Sequence, residues 1–155
     1  MHKFTGQFAH VGFAIANLEK TIHEMERILG GGSFQVIDEV QVSDLSYLGT
    51  ATNPRLKVGI GSINGLDIEL IEQSNEAPSP YLEDIRNGLE RPNHLAFASS
   101  NYDSDRNYLL QQEGEVIFSS NEAGSRFSYF RFENMPGFVV ELMEVSVEAE
   151  GDLSD

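Results

Sequence analysis

Between Phe8 and Ile15 the chain alternates. Val11, Phe13 and Ile15 share one parity and His10, Gly12 and Ala14 the other, a period of two that predicts a strand. The period then lengthens: Leu18, Ile22, Met25, Ile28 and Leu29 recur at helical spacing after Asn17, a residue suited to cap a helix start, and Gly30, Gly31 and Gly32 close the run. Three further strands are predicted in FQVIDEVQV, RLKVGIGSI and LDIELIE, the last two joined by Asn64-Gly65, a dipeptide that favours a tight hairpin. The order strand, helix, three strands then recurs in HLAFAS, a helix from Tyr102 to Glu113 stopped by Gly114, EVIFSS, RFSYFRF and FVVELMEV.

The recurrence extends to residue identity. At an offset of 84, HVGFAIANL lies over HLAFASSNY, pairing His10 with His94, Phe13 with Phe97, Ala14 with Ala98 and Asn17 with Asn101, and the register holds through Gly30 and Gly114. At an offset of 72, GLDIELIE lies over GFVVELME and pairs Glu69 with Glu141 and Glu72 with Glu144. The first copy therefore carries 12 extra residues within VQVSDLSYLGTATNP, read as a loop or extended hairpin. The expected organisation is a first βαβββ module over residues 1–74, a proline-containing linker over 75–92 with a short helix, a second βαβββ module over 93–147, and an acidic, frayed tail over 148–155.

Strand parity assigns directions to the polar residues. Val11, Phe13 and Ile15 take the side covered by the helix, so His10 faces away from it, as does His94 beside Ala96 and Ala98. In the closing strands Ile68 with Leu70, and Val140 with Leu142, are the helix-facing pairs, which leaves Glu69 and Glu141 on the histidine side. If opening and closing strands are neighbours, each copy presents one histidine and one glutamate, and a pseudo-twofold would gather His10, Glu69, His94 and Glu141. A lone strand histidine is commonly a hydrogen-bonded structural group. Two histidines and two glutamates at matching repeat positions instead fit one divalent ion, Zn, Ni, Co, Mn or Fe, which would replace the hydration that a buried carboxylate loses. Glu72 and Glu144 fall on the opposite parity near strand ends and read as solvated, and His2 and His23 as surface residues.

Composition narrows the classes. With 155 residues, 40% of them hydrophobic, the chain suffices for one full core or two small modules sharing one. It contains no cysteine, which leaves metal binding to histidine and carboxylate. A net charge of −15 disfavours nucleic acid and anionic membrane as partners, and the N-terminus lacks the pattern of a signal peptide, so a cytoplasmic protein is expected. No phosphate-binding glycine loop or Ser-His-Asp arrangement stands out.

His10 in FAHVGFAIANLEKTI, Glu69 in LDIELIE, His94 in PNHLAFAS and Glu141 in GFVVELME, in paired strand-helix-three-strand units, resemble the vicinal oxygen chelate superfamily over about residues 7–146. The likeness is greatest to its glyoxalase-type branch, which includes lactoylglutathione lyase and methylmalonyl-CoA epimerase. The resemblance implies an α+β fold in which two modules curve a mixed sheet around a cleft holding one divalent metal, with the helices outside. It also implies a metal-dependent isomerase, epimerase or lyase that stabilises an enolate while a carboxylate, by position Glu141, moves a proton at the adjacent carbon. A homodimer is expected by the same analogy. One departure concerns the opposing glutamate of the CoA epimerases: counting back from Glu69 reaches Thr52 and Asn53, neither of them a base.

Parity places Val139 and Met143 beside Glu141, with Phe127 or Tyr129 and Phe130 or Arg131 from the neighbouring strand. The expected substrate lining is Phe127, Tyr129, Arg131, Val139 and Met143, suited to a partly apolar small molecule. Two other readings share the fold: a non-catalytic binding protein of the antibiotic-resistance type, which usually lacks the ligands, and an extradiol-type dioxygenase, which favours two histidines with one carboxylate.

Overall fold

The computed structural model describes residues 3–30 and 32–145; His2, Gly31 and the acidic tail 148–155 lie outside the described residues. In chain order the elements are β1 (Gln7–Ala14), α1 (Leu18–Leu29), β2 (Phe34–Ile37), β3 (Leu45–Tyr47), β4 (Thr50–Ala51), β5 (Leu56–Ile63), β6 (Leu66–Gln73), α2 (Pro80–Arg86), β7 (Pro92–Ser99), α3 (Tyr102–Gln111), β8 (Glu115–Ser120), β9 (Phe127–Arg131) and β10 (Val139–Glu144). The fold class is α+β, as the two periodicities predict. Among the described residues no helix is long and apolar enough to cross a membrane.

The chain forms two compact units, and the division falls inside β1 and β7. One unit comprises His10–Gln41 and Thr52–His94. Its strands run in the order β2-β5-β6-β1, with β6 and β1 parallel and the other neighbours antiparallel. Helix α1 starts where Asn17 Oδ1 accepts from the Lys20 amide at 3.0 Å. It packs Leu18, Ile22 and Met25 against Phe13, Ile15, Ile68 and Leu70, the parity expected. The β5–β6 hairpin turns on Asn64 and Gly65 at φ 49° and 86°, left-handed values that a two-residue turn of this hand requires. The predicted strand FQVIDEVQV is cut short. β2 ends at Ile37, opposite Val58, and the chain leaves the ladder before a single further bond from the Val40 amide to the Leu56 carbonyl at 3.0 Å.

The other unit comprises the N-terminal residues through Ala9, Val42–Ala51 and the chain from Leu95 onward. Its strand order is β7-β10-β9-β8-β3-β4, with β7 and β10 parallel. Helix α3 buries Tyr102 and Leu109 against Phe130 and Leu142. The insertion of the first copy forms the β3–β4 hairpin, which turns at Leu48-Gly49 and pairs with β8 of the second copy, Leu45 opposite Ser120 and Tyr47 opposite Phe118. Fully buried Asp105 on α3 accepts from the Thr5 amide at 2.9 Å, the Thr5 hydroxyl at 2.6 Å and the Ser99 hydroxyl at 2.5 Å, tying the N-terminal segment to the helix.

Candidate metal centre

Three of the predicted ligands meet in the first of these units. β1 and β6 pair in parallel with Gly12 opposite Glu69, which brings His10, one pleat earlier on the same face, to Glu69: His10 Nε2 lies 3.4 Å from Glu69 Oε2. His94, at the start of β7, lies with Nε2 3.9 Å from Glu69 Oε1. The two imidazole rings stand edge to face, with centroids 5.5 Å apart. Taking one donor atom from each of His10, Glu69 and His94, all lie within 4.8 Å of one another.

The burial of these groups decides their charge. His94 is 2% exposed, and burial together with the nearby His10 lowers its pKa to about 3. Burial also lowers the pKa of His10, an effect opposed by the negative charge of Asp67. Both imidazoles are therefore neutral at physiological pH and keep a ring lone pair. Burial raises the Glu69 pKa to about 7, so this pocket disfavours a bare carboxylate. These contacts are not ordinary salt bridges, since neutral histidines offer no charge and distances of 3.4 and 3.9 Å exceed a good hydrogen bond. The 3.4 Å between His10 and Glu69 suits neighbouring donors on a divalent cation, which with bonds of about 2.1 Å stand roughly 3.0–3.5 Å apart, whereas the 3.9 Å between His94 and Glu69 lies beyond that range. The residues present therefore fit a metal, which would compensate the desolvated carboxylate and use the neutral imidazoles as they stand.

His94 is held from several directions. Its Nδ1–H donates to Asn93 Oδ1 at 2.8 Å, and Asn93 Nδ2 donates to Asp84 Oδ2 at 3.0 Å and, more weakly, to the Pro80 carbonyl at 3.4 Å. The buried Tyr81 ring meets it at a centroid distance of 6.5 Å. On another side Gly12 leaves the space the ring fills, because a Cβ there would lie 2.0 Å from His94 Cε1. Sequence reasoning missed Asn93, Asp84 and Tyr81, having read 75–92 as a linker. The available signal was Ser79-Pro80, a cap followed by proline at the first helical position, which begins α2 with the Leu82 amide donating to Ser79 Oγ at 3.0 Å.

Glu141 lies in the other unit, on β10, and is 6% exposed. Its register repeats that of the first copy: Glu69 stands opposite Gly12, and Glu141 stands opposite Ala96, the repeat counterpart of Gly12. Across the β9–β10 ladder Glu141 faces Tyr129, Met143 faces Phe127 and Val139 faces Arg131, so these residues share one side. Phe130 takes the opposite side, in the core under α3. Phe118, Phe127 and Tyr129 form an aromatic cluster with centroids 5.2–5.6 Å apart, while Arg131 reaches Glu115 at 3.3 Å. His23 is exposed, as expected. Glu72 and Glu144 are not merely solvated: Glu72 Oε2 accepts from the Leu18 amide at 2.7 Å, and Glu144 Oε1 accepts from Arg126 Nη2 at 2.9 Å.

Comparison with known proteins agrees with this architecture. Among solved structures, methylmalonyl-CoA epimerase from Mycobacterium tuberculosis is similar with a TM-score of 0.66 at 19% identity, over 94% of this chain and 91% of that one. A hypothetical protein from Bacillus halodurans is similar with a TM-score of 0.66 at 16% identity, over 92% of this chain and 96% of that one. A methylmalonyl-CoA epimerase solved with methylmalonyl-CoA gives 0.62 at 18% identity, over 92% of this chain and 96% of that one. At these identities the likeness establishes the fold. No curated protein matches the sequence. The family profile described as Glyoxalase/Bleomycin resistance protein/Dioxygenase superfamily matches residues 9–132, the span that carries His10, Glu69 and His94, and the chain belongs to that superfamily.

Proposed function

We propose that the protein is a divalent-metal-dependent enzyme of the glyoxalase type that moves a proton at the carbon next to a substrate carbonyl, with His10, Glu69, His94 and Glu141 as the metal ligands. The observation that carries this reading is the convergence of donor atoms from His10, Glu69 and His94 within 4.8 Å, and burial favours the neutral form of both imidazoles. Glu141 joins them in the proposal because its register on β10 duplicates that of Glu69 on β6. When bound, the metal supplies Lewis-acid polarisation of the carbonyl and charge stabilisation of the enolate. Glu141 carries the proton to and from the adjacent carbon, in a buried setting that favours transfer over release to water.

The structural neighbours named as methylmalonyl-CoA epimerases favour an isomerase over a lyase. Thr52 and Asn53, where a second base would fall by count, instead fasten the segment after β6: Thr52 Oγ1 donates to the Pro78 carbonyl at 2.7 Å, and the Asn53 carbonyl accepts from Asn75 Nδ2 at 2.8 Å. The proposed enzyme therefore relies on Glu141 alone among the predicted carboxylates for proton transfer. Phe127, Tyr129, Arg131, Val139 and Met143 are proposed to line the substrate, since they share the Glu141 side of the β9–β10 ladder. Exposed Val36 and Ile37 on the edge strand β2 favour a homodimer, and we place the protein in the cytoplasm.

The test is metal-loaded protein incubated in deuterated water with a panel of hydroxyketones, 2-oxoaldehyde hemithioacetals and 2-methyl thioesters. Deuterium incorporation next to the carbonyl is followed by NMR. Exchange should require stoichiometric metal and fall at least 100-fold in Glu141→Gln, the order of one general base. Protein that takes up no metal, or exchange unchanged by a chelator and by Glu141→Gln, would sink the reading.

A further inference from the structure

A histidine can bind a metal through Nε2 only if its proton sits on Nδ1, so whatever occupies the Nδ1 side decides whether the ligand is ready. For His94 that group is Asn93. Asn93 is 8% exposed, and its amide orientation is not free. Asp84 Oδ2 lies 3.0 Å from Nδ2, and a carboxylate can only accept, so the amide nitrogen faces Asp84 and Oδ1 faces His94. The Pro80 carbonyl, also acceptor-only, reinforces this at 3.4 Å, and Arg91 Nη2, 3.8 Å from Asp84 Oδ1, faces the other carboxylate oxygen. Donation thus runs one way, from His94 through Asn93 to Asp84.

We propose that Asn93, oriented by Asp84 on α2, is a positioning residue that fixes His94 in the Nδ1–H tautomer and aims its Nε2 lone pair at His10 and Glu69. A strand normally sends adjacent side chains to opposite faces, so Asn93 reaches His94 only because α2 holds it there. The segment between the two repeats thereby takes a chemical role, since α2 supplies Asp84 and the Pro80 carbonyl while Tyr81 packs on the same imidazole. Outer partners of this kind typically change metal affinity by about 10–100-fold.

The proposal rests on the metal-site reading only through its affinity readout, because the tautomer is measured without metal. Nitrogen-15 NMR of the metal-free full chain should show His94 protonated at Nδ1 and bare at Nε2. Asn93→Leu should move the proton to Nε2 and weaken Ni²⁺ binding, titrated with the metal alone, by about 10–100-fold. The double exchange Asp84→Asn with Asn93→Asp keeps a donor opposite an acceptor, with the carboxylate now facing His94, and should restore the Nδ1–H tautomer and bring affinity back to within a few-fold. His94 still protonated at Nδ1 in folded Asn93→Leu would overturn the proposal, as would a double exchange that leaves the proton on Nε2. If Asn93→Leu does not fold, the double exchange decides alone. If the wild-type chain binds no Ni²⁺, the proposed enzyme fails while the tautomer comparison still stands or falls by itself.

Discussion

Gly12 governs the site by what it lacks. A Cβ at this position would lie 2.0 Å from His94 Cε1 and 2.3 Å from Nε2, and the ring is confined by Asn93 and Tyr81 on other sides. Gly12→Ala should therefore displace the imidazole, cost about 1–3 kcal/mol in urea unfolding and abolish tight metal binding. Gly137, in the matching closing-strand motif, has nothing within 4 Å of an added Cβ, so Gly137→Ala is the neutral control. Changes of similar size at both positions, or none at Gly12, would refute this account. At the residue scale the convergence of His10, Glu69 and His94, the proposed ligands, was legible in the sequence because parity and repetition act together: alternation assigns His10 and Glu69 a face, and the second copy repeats the assignment. Asn93 was not legible for the same reason. Alternation sends it to the other face, and only packing of α2 returns its amide to His94.

Element ends show what the repeated motif does besides supplying the proposed ligands. Glu69 and Glu72 recur as Glu141 and Glu144, and the second glutamate of each pair closes an element. Glu72 accepts the Leu18 amide at the start of α1, where unsatisfied N–H groups and the helix dipole favour a carboxylate. Glu72→Ala should cost about 1–2 kcal/mol without changing metal affinity, as denaturant unfolding and metal titration would show. In the second copy Glu144 binds Arg126, whose guanidinium also meets Asp103 at 2.9 Å and lies 4.6 Å above the Tyr102 ring. That hydrogen bond holds the Glu144 pKa below its usual 4.5. A depressed carboxylate pKa adds stability that is present above the unfolded value and lost as pH falls through the folded one. Arg126→Ala should accordingly flatten the decline of stability below about pH 4.5, measured by urea unfolding at stepped pH. Capping by Asn17 was readable locally. The β3–β4 hairpin was readable only as a change of offset, because its partner β8 lies about 70 residues downstream and nothing local announces so distant a pairing.

At the scale of the whole molecule, contacts regroup what the repeat lays out in order. Residues 42–51 belong with the chain from Leu95 onward, while His94 stays with the first-copy strands that carry His10 and Glu69. A metal bound there would cross-link β1, β6 and the start of β7, segments far apart in sequence, and so should stabilise the fold as a whole. Any ligand that binds only the native state adds RT ln(1 + [L]/Kd), about 4 kcal/mol at a thousandfold excess over Kd. Metal-saturated protein should therefore melt well above chelator-treated protein. Glu69→Gln separates the two contributions of this carboxylate. Without metal the variant should be at least as stable as the wild type, because an amide removes a charge whose burial is costly. With metal it should gain little, because an anionic ligand has been lost. Thermal unfolding of both proteins, with Ni²⁺ and with chelator, gives four melting temperatures that must show this inversion. A variant destabilised in chelator and still stabilised by metal would mean that Glu69 is a structural hydrogen-bonding group and that the ion, if bound, is held elsewhere.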